Sequence, residues 1–324
     1  MYKEFYGLTR NPFEVTPDPF FFCPTPRHAE ALAHLVYGVL RRKGFVVVTG
    51  EVGTGKTLLV RCLLEALSKN KIASAYVYNP MISVPEFLTH VINDLGLPAS
   101  TAGTKSEVLS RLNNYLMERS RQDLTTALIV DEAQLLSWEL LEEIRLLTNL
   151  ETTKHKLLQI VLVGQPEFER KLDSEQLRQL KQRISLRCSL KPLKSDELKG
   201  YIYRRLELAG ANSHAAAIFP DKTIALIEKF SRGLPRLVNT LCENSLLLGF
   251  GHSQSQITSE IVQEVATDLR LDSSAEGSVP HAIQNGVPGG DDVQREPAID
   301  DVIDILDLFG TFENGKFQPG VKSE

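Results

Sequence analysis

The stretch Phe45-Val46-Val47-Val48-Thr49-Gly50-Glu51-Val52-Gly53-Thr54-Gly55-Lys56-Thr57 decides how the chain is read. Its first half is a short, continuous run of apolar or β-branched residues, the pattern of a strand buried on both faces. The run ends in Gly50, Gly53 and Gly55, which can turn successive backbone N–H groups toward one point. A helix beginning at Lys56 would add the positive end of its dipole at the same place. The spacing G-x-x-x-x-G-K-T is met at every fixed position, so the stretch reads as a phosphate cradle. The backbone from Gly50 through Glu51, Val52, Gly53, Thr54, Gly55, Lys56 and Thr57 to Leu58 is expected to hold the phosphates of ATP. Lys56 would carry charge to the β- and γ-phosphates, and the Thr57 hydroxyl would meet Mg²⁺.

A second apolar run, Ala127-Leu128-Ile129-Val130, leads straight into Asp131-Glu132-Ala133-Gln134. Two carboxylates at the tip of a buried strand are costly unless a cation or water is there. Asp131 is expected to hold Mg²⁺ through its water shell, and Glu132 to polarise the water that attacks the γ-phosphate. A third run, Leu157 to Val163, ends at Gly164-Gln165-Pro166. Gln165 at a strand tip can position the attacking water, a plain turn being the competing reading. Arg178, Arg183 and Arg187 fall within ten residues, and one of them could reach the nucleotide of a neighbouring subunit. A solvated basic face explains any single one of them equally well. In Gly233-Leu234-Pro235-Arg236 proline can start a helix, and an arginine in a first turn goes against the helix dipole unless an anion is bound.

Around these motifs five strands alternate with helices up to residue 190, which predicts an α/β fold: a parallel sheet between helical layers. From Ser195 the apolar periodicity is wholly helical. The expected organisation is an aromatic and proline-rich arm over 1–26, the phosphate-loop core over 27–192, a helical lid over 193–271 and an acidic, mostly disordered tail over 272–324. Core packing and contact with the adenine are both open for the arm. Within the tail, residues 297–310 place Ile299, Val302, Ile303 and Leu306 on one helical face, an element suited to a groove in a partner.

Hydrophobic residues at 42% and charged residues at 24% are ordinary for a soluble globular protein, and no run approaches a membrane span. No apolar signal core follows the first residues, so a cytoplasmic location is expected. Cys23, Cys62, Cys188 and Cys242 lie far apart without a C-x-x-C pair, which argues against a zinc site or a disulfide framework. The net charge of −5 hides an asymmetry, since residues 271–324 carry 11 acids and 3 bases, leaving 30 acids and 33 bases before them. A body so close to neutral neither demands nor excludes nucleic acid.

Taken in order, the loop, the carboxylate pair, Gln165, the arginine cluster and Gly233-Leu234-Pro235-Arg236 resemble the AAA+ ATPases, over roughly residues 1–270. Within that family the chain is similar to the ExeA type of general secretion pathway protein A. Tyr6-Gly7-Leu8, Asn11-Pro12-Phe13, Pro17-Asp18-Pro19, Arg27-His28, Gly164-Gln165-Pro166-Glu167 and Gln182-Arg183-Ile184 carry that likeness together with the two main motifs. The resemblance implies a three-layer α/β/α core with strand order 5-1-4-3-2, a helical lid and ATP bound between subunits of a homo-oligomer. It also implies Arg183 as the likeliest arginine finger, with Arg178 second, and Arg236 as a second sensor of the γ-phosphate. The secretion ATPases continue into a membrane span and a peptidoglycan-binding domain, whereas an acidic tail follows here.

The reading that results is an ATP-hydrolysing protein that energises or regulates a secretion or polysaccharide-export machine, peripheral to the inner membrane through a partner. A DNA-associated ATPase of the transposition-regulator type shares this core and is the first alternative; DNA is not the favoured partner. A nucleotide-controlled switch with little turnover is the second. A helicase, suggested by Asp131-Glu132-Ala133-Gln134, is disfavoured because only one sheet domain is present.

Overall fold

The computed structural model describes residues 2–97, 104–211 and 214–271, and the backbone of 311–313 and 316–318. Five strands, β1 (Phe45–Gly50), β2 (Ala73–Val77), β3 (Thr126–Val130), β4 (Gln159–Gly164) and β5 (Leu186–Leu190), form one sheet in the order β2-β3-β4-β1-β5. All pairings in it are parallel, and read from the other edge the order is the expected 5-1-4-3-2. Before β1 come α1 (Tyr2–Phe5) and α2 (Pro26–Leu40). Between the strands lie α3 (Lys56–Lys69), α4 (Val84–Asp94), α5 (Lys105–Arg121), α6 (Trp138–Leu147), α7 (Pro166–Leu172) and α8 (Arg178–Lys181). A bundle of α9 (Ser195–Leu206), α10 (Ala215–Ile218), α11 (Asp221–Ser231), α12 (Pro235–Gly251) and α13 (Ser259–Asp268) follows.

The central strands β1, β3 and β4 are buried at every position because both faces of the sheet are covered. Side chains alternate across β1: Phe45 and Val47 enter the core beneath α4 and α6, while Val46 and Val48 join that of α2 and α3. The helices begin where short polar residues cap them. Thr25 caps α2, Ser83 and Glu86 form a capping box for α4, and Thr104 and Glu107 another for α5. Gly210 stops α9 and its one-turn extension by taking φ +106°.

A third core belongs to the bundle, and the arm is part of it. Tyr2, Tyr6, Phe13 and Phe21 are buried with Leu198, Ile202, Leu241 and Leu246, and Phe13 meets Phe219 edge-on with 6.0 Å between centroids. Tyr2 Oη donates to Glu243 at 2.7 Å, Tyr6 Oη to the Gln254 carbonyl at 2.9 Å, and Thr9 N to the Ala209 carbonyl at 2.7 Å. The aromatic rings are therefore core residues of the bundle. Their contact is with a segment more than 190 residues away in sequence.

In the tail expected to be mostly disordered, the described residues include two short strands. Thr311–Glu313 and Lys316–Gln318 pair antiparallel, with Phe312 opposite Phe317. Asn314-Gly315 between them is the dipeptide that favours two-residue hairpin connections. The helix expected over 297–310 lies outside the described residues. Among the described residues no helix is long and apolar enough to cross a membrane.

Gly233 holds the turn before α12 against Leu193, on the segment that leads from β5 into α9. This residue has φ +74°, its carbonyl accepts from Leu193 N at 2.8 Å, and a Cβ here would lie 2.2 Å from the Leu193 carbonyl oxygen. Gly233→Ala should therefore lower stability by at least ~1–2 kcal/mol from the left-handed backbone alone, with the clash added. The midpoint of urea unfolding checks it; an unchanged midpoint would contradict this close approach.

Candidate functional site

Register brings the motifs to one edge of the sheet. Thr49 on β1 pairs with Gly164 on β4, and Val130 on β3 pairs with Leu162, so the strand tips carrying the phosphate loop, Gln165 and Asp131-Glu132 stand side by side. They border a cavity of about 440 Å³ whose other walls are the arm at Glu14–Asp18 and the bundle at Tyr201, Arg205, Arg236 and Asn239.

The loop is built around its lysine. Lys56 Nζ is buried and donates to the carbonyls of Gly50 at 2.8 Å and Glu51 at 3.0 Å. Burial pulls its pKa below the usual lysine value, and the carboxylates of Glu132 and Asp131 oppose that shift. Gly53 at φ +84° and Gly55 at φ +97° supply the left-handed turns, and a Cβ on Gly53 would come within 3.0 Å of Arg236 Cβ. The bundle touches the loop directly there, through Arg236 N donating to the Gly53 carbonyl at 3.1 Å.

Across the cavity, Thr57 Oγ1 donates to Asp131 Oδ2 at 3.2 Å. Asp131 is buried, and desolvation raises its pKa although the Glu132 amide donates to it at 2.8 Å. A half-buried hydroxyl and a buried carboxylate beside an ammonium suit a hydrated Mg²⁺ on a triphosphate. Glu132 adopts the left-handed conformation, φ 51° and ψ 41°, strained for a residue with a side chain. Its carboxylate accepts from the amides of Gln134 and Gln165, the latter at 3.2 Å, while Gln134 Oε1 takes the Gln165 backbone N–H at 2.9 Å.

Of the residues singled out in the sequence, Lys56, Thr57, Asp131, Glu132, Gln165 and Arg236 are brought together. The arginine cluster is not. Arg183 turns back on its own chain, donating to Asn149 Oδ1 at 2.6 Å, to Thr148 Oγ1 and to the Arg145 carbonyl, where it satisfies the end of α6. Arg187 pairs with Glu169 at 2.8 Å. Arg178 is exposed and pairs with no side chain among the described residues.

Three residues escaped the reading from sequence. Gln134 ties the carboxylate tip to Gln165. Tyr76 Oη reaches Asp131 Oδ2 at 3.4 Å from β2. His28 lies under the loop, with Nε2 2.9 Å from the Thr54 carbonyl and Nδ1 2.7 Å from Thr25 Oγ1. A carbonyl only accepts, so Nε2 carries the proton; burial favours the neutral ring, in which Nδ1 accepts from the threonine hydroxyl. Gln134 and His28 sit within quoted motif strings, but nothing in their spacing gives them a role.

A family model described as an AAA domain matches residues 40–172. General secretion pathway protein A of Aeromonas hydrophila is 39% identical over 257 residues, covering 79% of this chain and 46% of that protein. The chain thus spans less than half the length of that relative. Among solved structures, the ORC2 protein of Aeropyrum pernix in its ADPNP-ADP complexes superposes with a TM-score of 0.61 at 19% identity, covering 80% of this chain and 71% of that one. For Cdc6p of Pyrobaculum aerophilum the TM-score is 0.59 at 20% identity, with 82% and 70% covered. At these identities the two structures speak for the fold alone.

Burial holds the His28 pKa below its ordinary value, so the unfolded chain takes up the proton first. Its share of stability should be complete above about pH 6.5 and be lost as pH falls below that value. Unfolding midpoints measured between about pH 7.5 and 5.5 should fall less steeply in His28→Gln than in the unaltered protein. Equal slopes would contradict a buried neutral ring.

Proposed function

We propose, for a chain that belongs to the AAA+ family of P-loop proteins and within it to the ExeA type, that the cavity binds ATP with Mg²⁺ and hydrolyses it to ADP and phosphate. The observation that carries the reading is the convergence on one cavity of Lys56, the carboxylate of Glu132 and Arg236 from three separate parts of the chain. Lys56 and the loop amides would hold the β- and γ-phosphates. Thr57 and Asp131 would hold Mg²⁺, which neutralises charge on the phosphate oxygens when bound.

Glu132 is the base of this scheme. Two glutamine amides fix its orientation, so its free lone pairs can take a proton from water as the water oxygen bonds to the γ-phosphorus and the bridging P–O bond breaks. Gln165 orients the same water. Arg236, on the first turn of α12, would sense the γ-phosphate and bring the bundle down as a lid. Turnover is then completed in a homo-oligomer by an arginine from the neighbour. Arg178 suits that role better than Arg183, because its guanidinium is already in solvent. The 39% identity to general secretion pathway protein A supports a secretion or export machine as the client, approached from the cytoplasmic side.

Hydrolysis and ATP affinity measured in Glu132→Gln test the reading. Turnover should fall by at least ~100-fold while affinity stays within a few-fold. Arg178→Ala should lower turnover only at protein concentrations where the chains assemble. A Glu132→Gln protein that still turns over ATP at the unaltered rate would sink the assignment.

A further inference from the structure

The bundle wall of the cavity holds a hydrogen-bonded relay that phosphate binding does not use. Arg205 on α9 is 4% exposed, yet no carboxylate lies within ion-pair distance of it among the described residues. Its guanidinium packs over the Phe21 ring at 4.8 Å, Nε donates to the Pro12 carbonyl at 2.5 Å, and Nη1 donates to Tyr201 Oη at 3.2 Å. Tyr201 Oη in turn lies 2.8 Å from Asn239 Oδ1 on α12. Tyr201 is 6% and Asn239 8% exposed, and all three residues line the cavity.

The direction of this relay follows from its first member. A guanidinium has no acceptor, so Tyr201 must accept from Arg205 and spend its own proton on Asn239. The Asn239 carbonyl is thereby occupied. What Asn239 keeps for the cavity is its NH₂ group, a donor with no hydrogen-bond partner among the described residues. The positive charge of Arg205, held over aromatic rings without a carboxylate in direct contact, adds a second attraction for electron-rich atoms on the same wall. Phosphates are already held at the loop end, so this wall lies against the remainder of a bound nucleotide.

We infer that Asn239 is a base-reading residue, donating to a ring-nitrogen acceptor of the purine, and that Tyr201 and Arg205 are positioning residues that fix which way its amide faces. Because Arg205 also holds the arm through Pro12, the same relay joins base occupancy to the docking of arm and lid. The inference rests on the proposed ATP site and adds the means by which that site chooses its base. Removing the tyrosine oxygen frees the Asn239 amide to rotate, and it can then offer either its oxygen or its nitrogen.

The test compares the unaltered protein with Tyr201→Phe, which keeps the ring and its packing. Affinities are measured for ATP, for inorganic tripolyphosphate and for the three deaza analogues of ATP that each lack one ring-nitrogen acceptor of adenine. The unaltered protein should bind one analogue about tenfold more weakly than ATP. Tyr201→Phe should bind that analogue and ATP equally, with tripolyphosphate affinity unchanged at a temperature where both proteins are folded. Equal binding of all analogues by the unaltered protein overturns the inference. So does discrimination that survives in Tyr201→Phe, or a variant whose affinities for ATP and tripolyphosphate fall together. If the unaltered protein binds neither ATP nor tripolyphosphate, the phosphate-loop reading itself is what fails.

Discussion

A buried ammonium held by two carbonyls of its own loop is the interaction on which the rest of the molecule depends. Lys56 Nζ is withdrawn from water between Gly50 and Glu51, and burial alone would favour its neutral form. The charge is kept by the carbonyl dipoles and by carboxylates at the neighbouring strand tips, so the loop and the Asp131-Glu132 pair need each other. That arrangement requires a chain reversal with left-handed turns at Gly53 and Gly55, directly after a strand buried on both faces. It also requires that the tips of β3 and β4 point the same way as that of β1, which the parallel pairing provides.

The second constraint is that the cavity has no wall of its own. The sheet edge supplies the loop and the acids, α12 supplies Arg236, and residues Glu14–Asp18 close the remaining side. The arm reaches that place because Tyr2, Tyr6, Phe13 and Phe21 are buried in the bundle core, where each contributes on the order of 2–3 kcal/mol of hydrophobic stabilisation. Arm and bundle therefore form one packing unit. Beside the cavity this unit meets the sheet layer through the Arg236 amide on the Gly53 carbonyl and the Pro17 carbonyl on the Arg61 guanidinium of α3. A sparse junction beside a ligand cavity is where a bound anion can change the relative position of two rigid bodies.

The sheet and the phosphate loop were legible in the sequence because their signals are local. Continuous apolar runs ending in Gly, Asp-Glu or Gln mark strand tips without any knowledge of what lies beside them, and each such run became a strand within about two residues of its expected ends. Strand order was not local; it came from the family likeness and not from periodicity. The destinations of individual side chains were hidden for the same reason. Arg183 looked available because basic residues cluster around it, yet the unsatisfied end of α6 captures it. The arm aromatics could have met a base or a core, and only packing against residues some 200 positions later decides between them. His28 and Gln134 act through hydrogen bonds to backbone or amide groups that no spacing rule records. The tail hairpin was the exception, since Asn314-Gly315 between two phenylalanine-bearing triplets is a local signal that composition had masked.

Hydrogen exchange measured with and without ATP and Mg²⁺ reaches the central claim, that one ligand is shared by loop, arm and bundle. Protection should rise together in three separated peptides, covering Gly50–Leu58, Glu14–Asp18 and the start of α12 at Pro235–Asn239. Protection confined to Gly50–Leu58, with the arm and α12 exchanging as before, would contradict it.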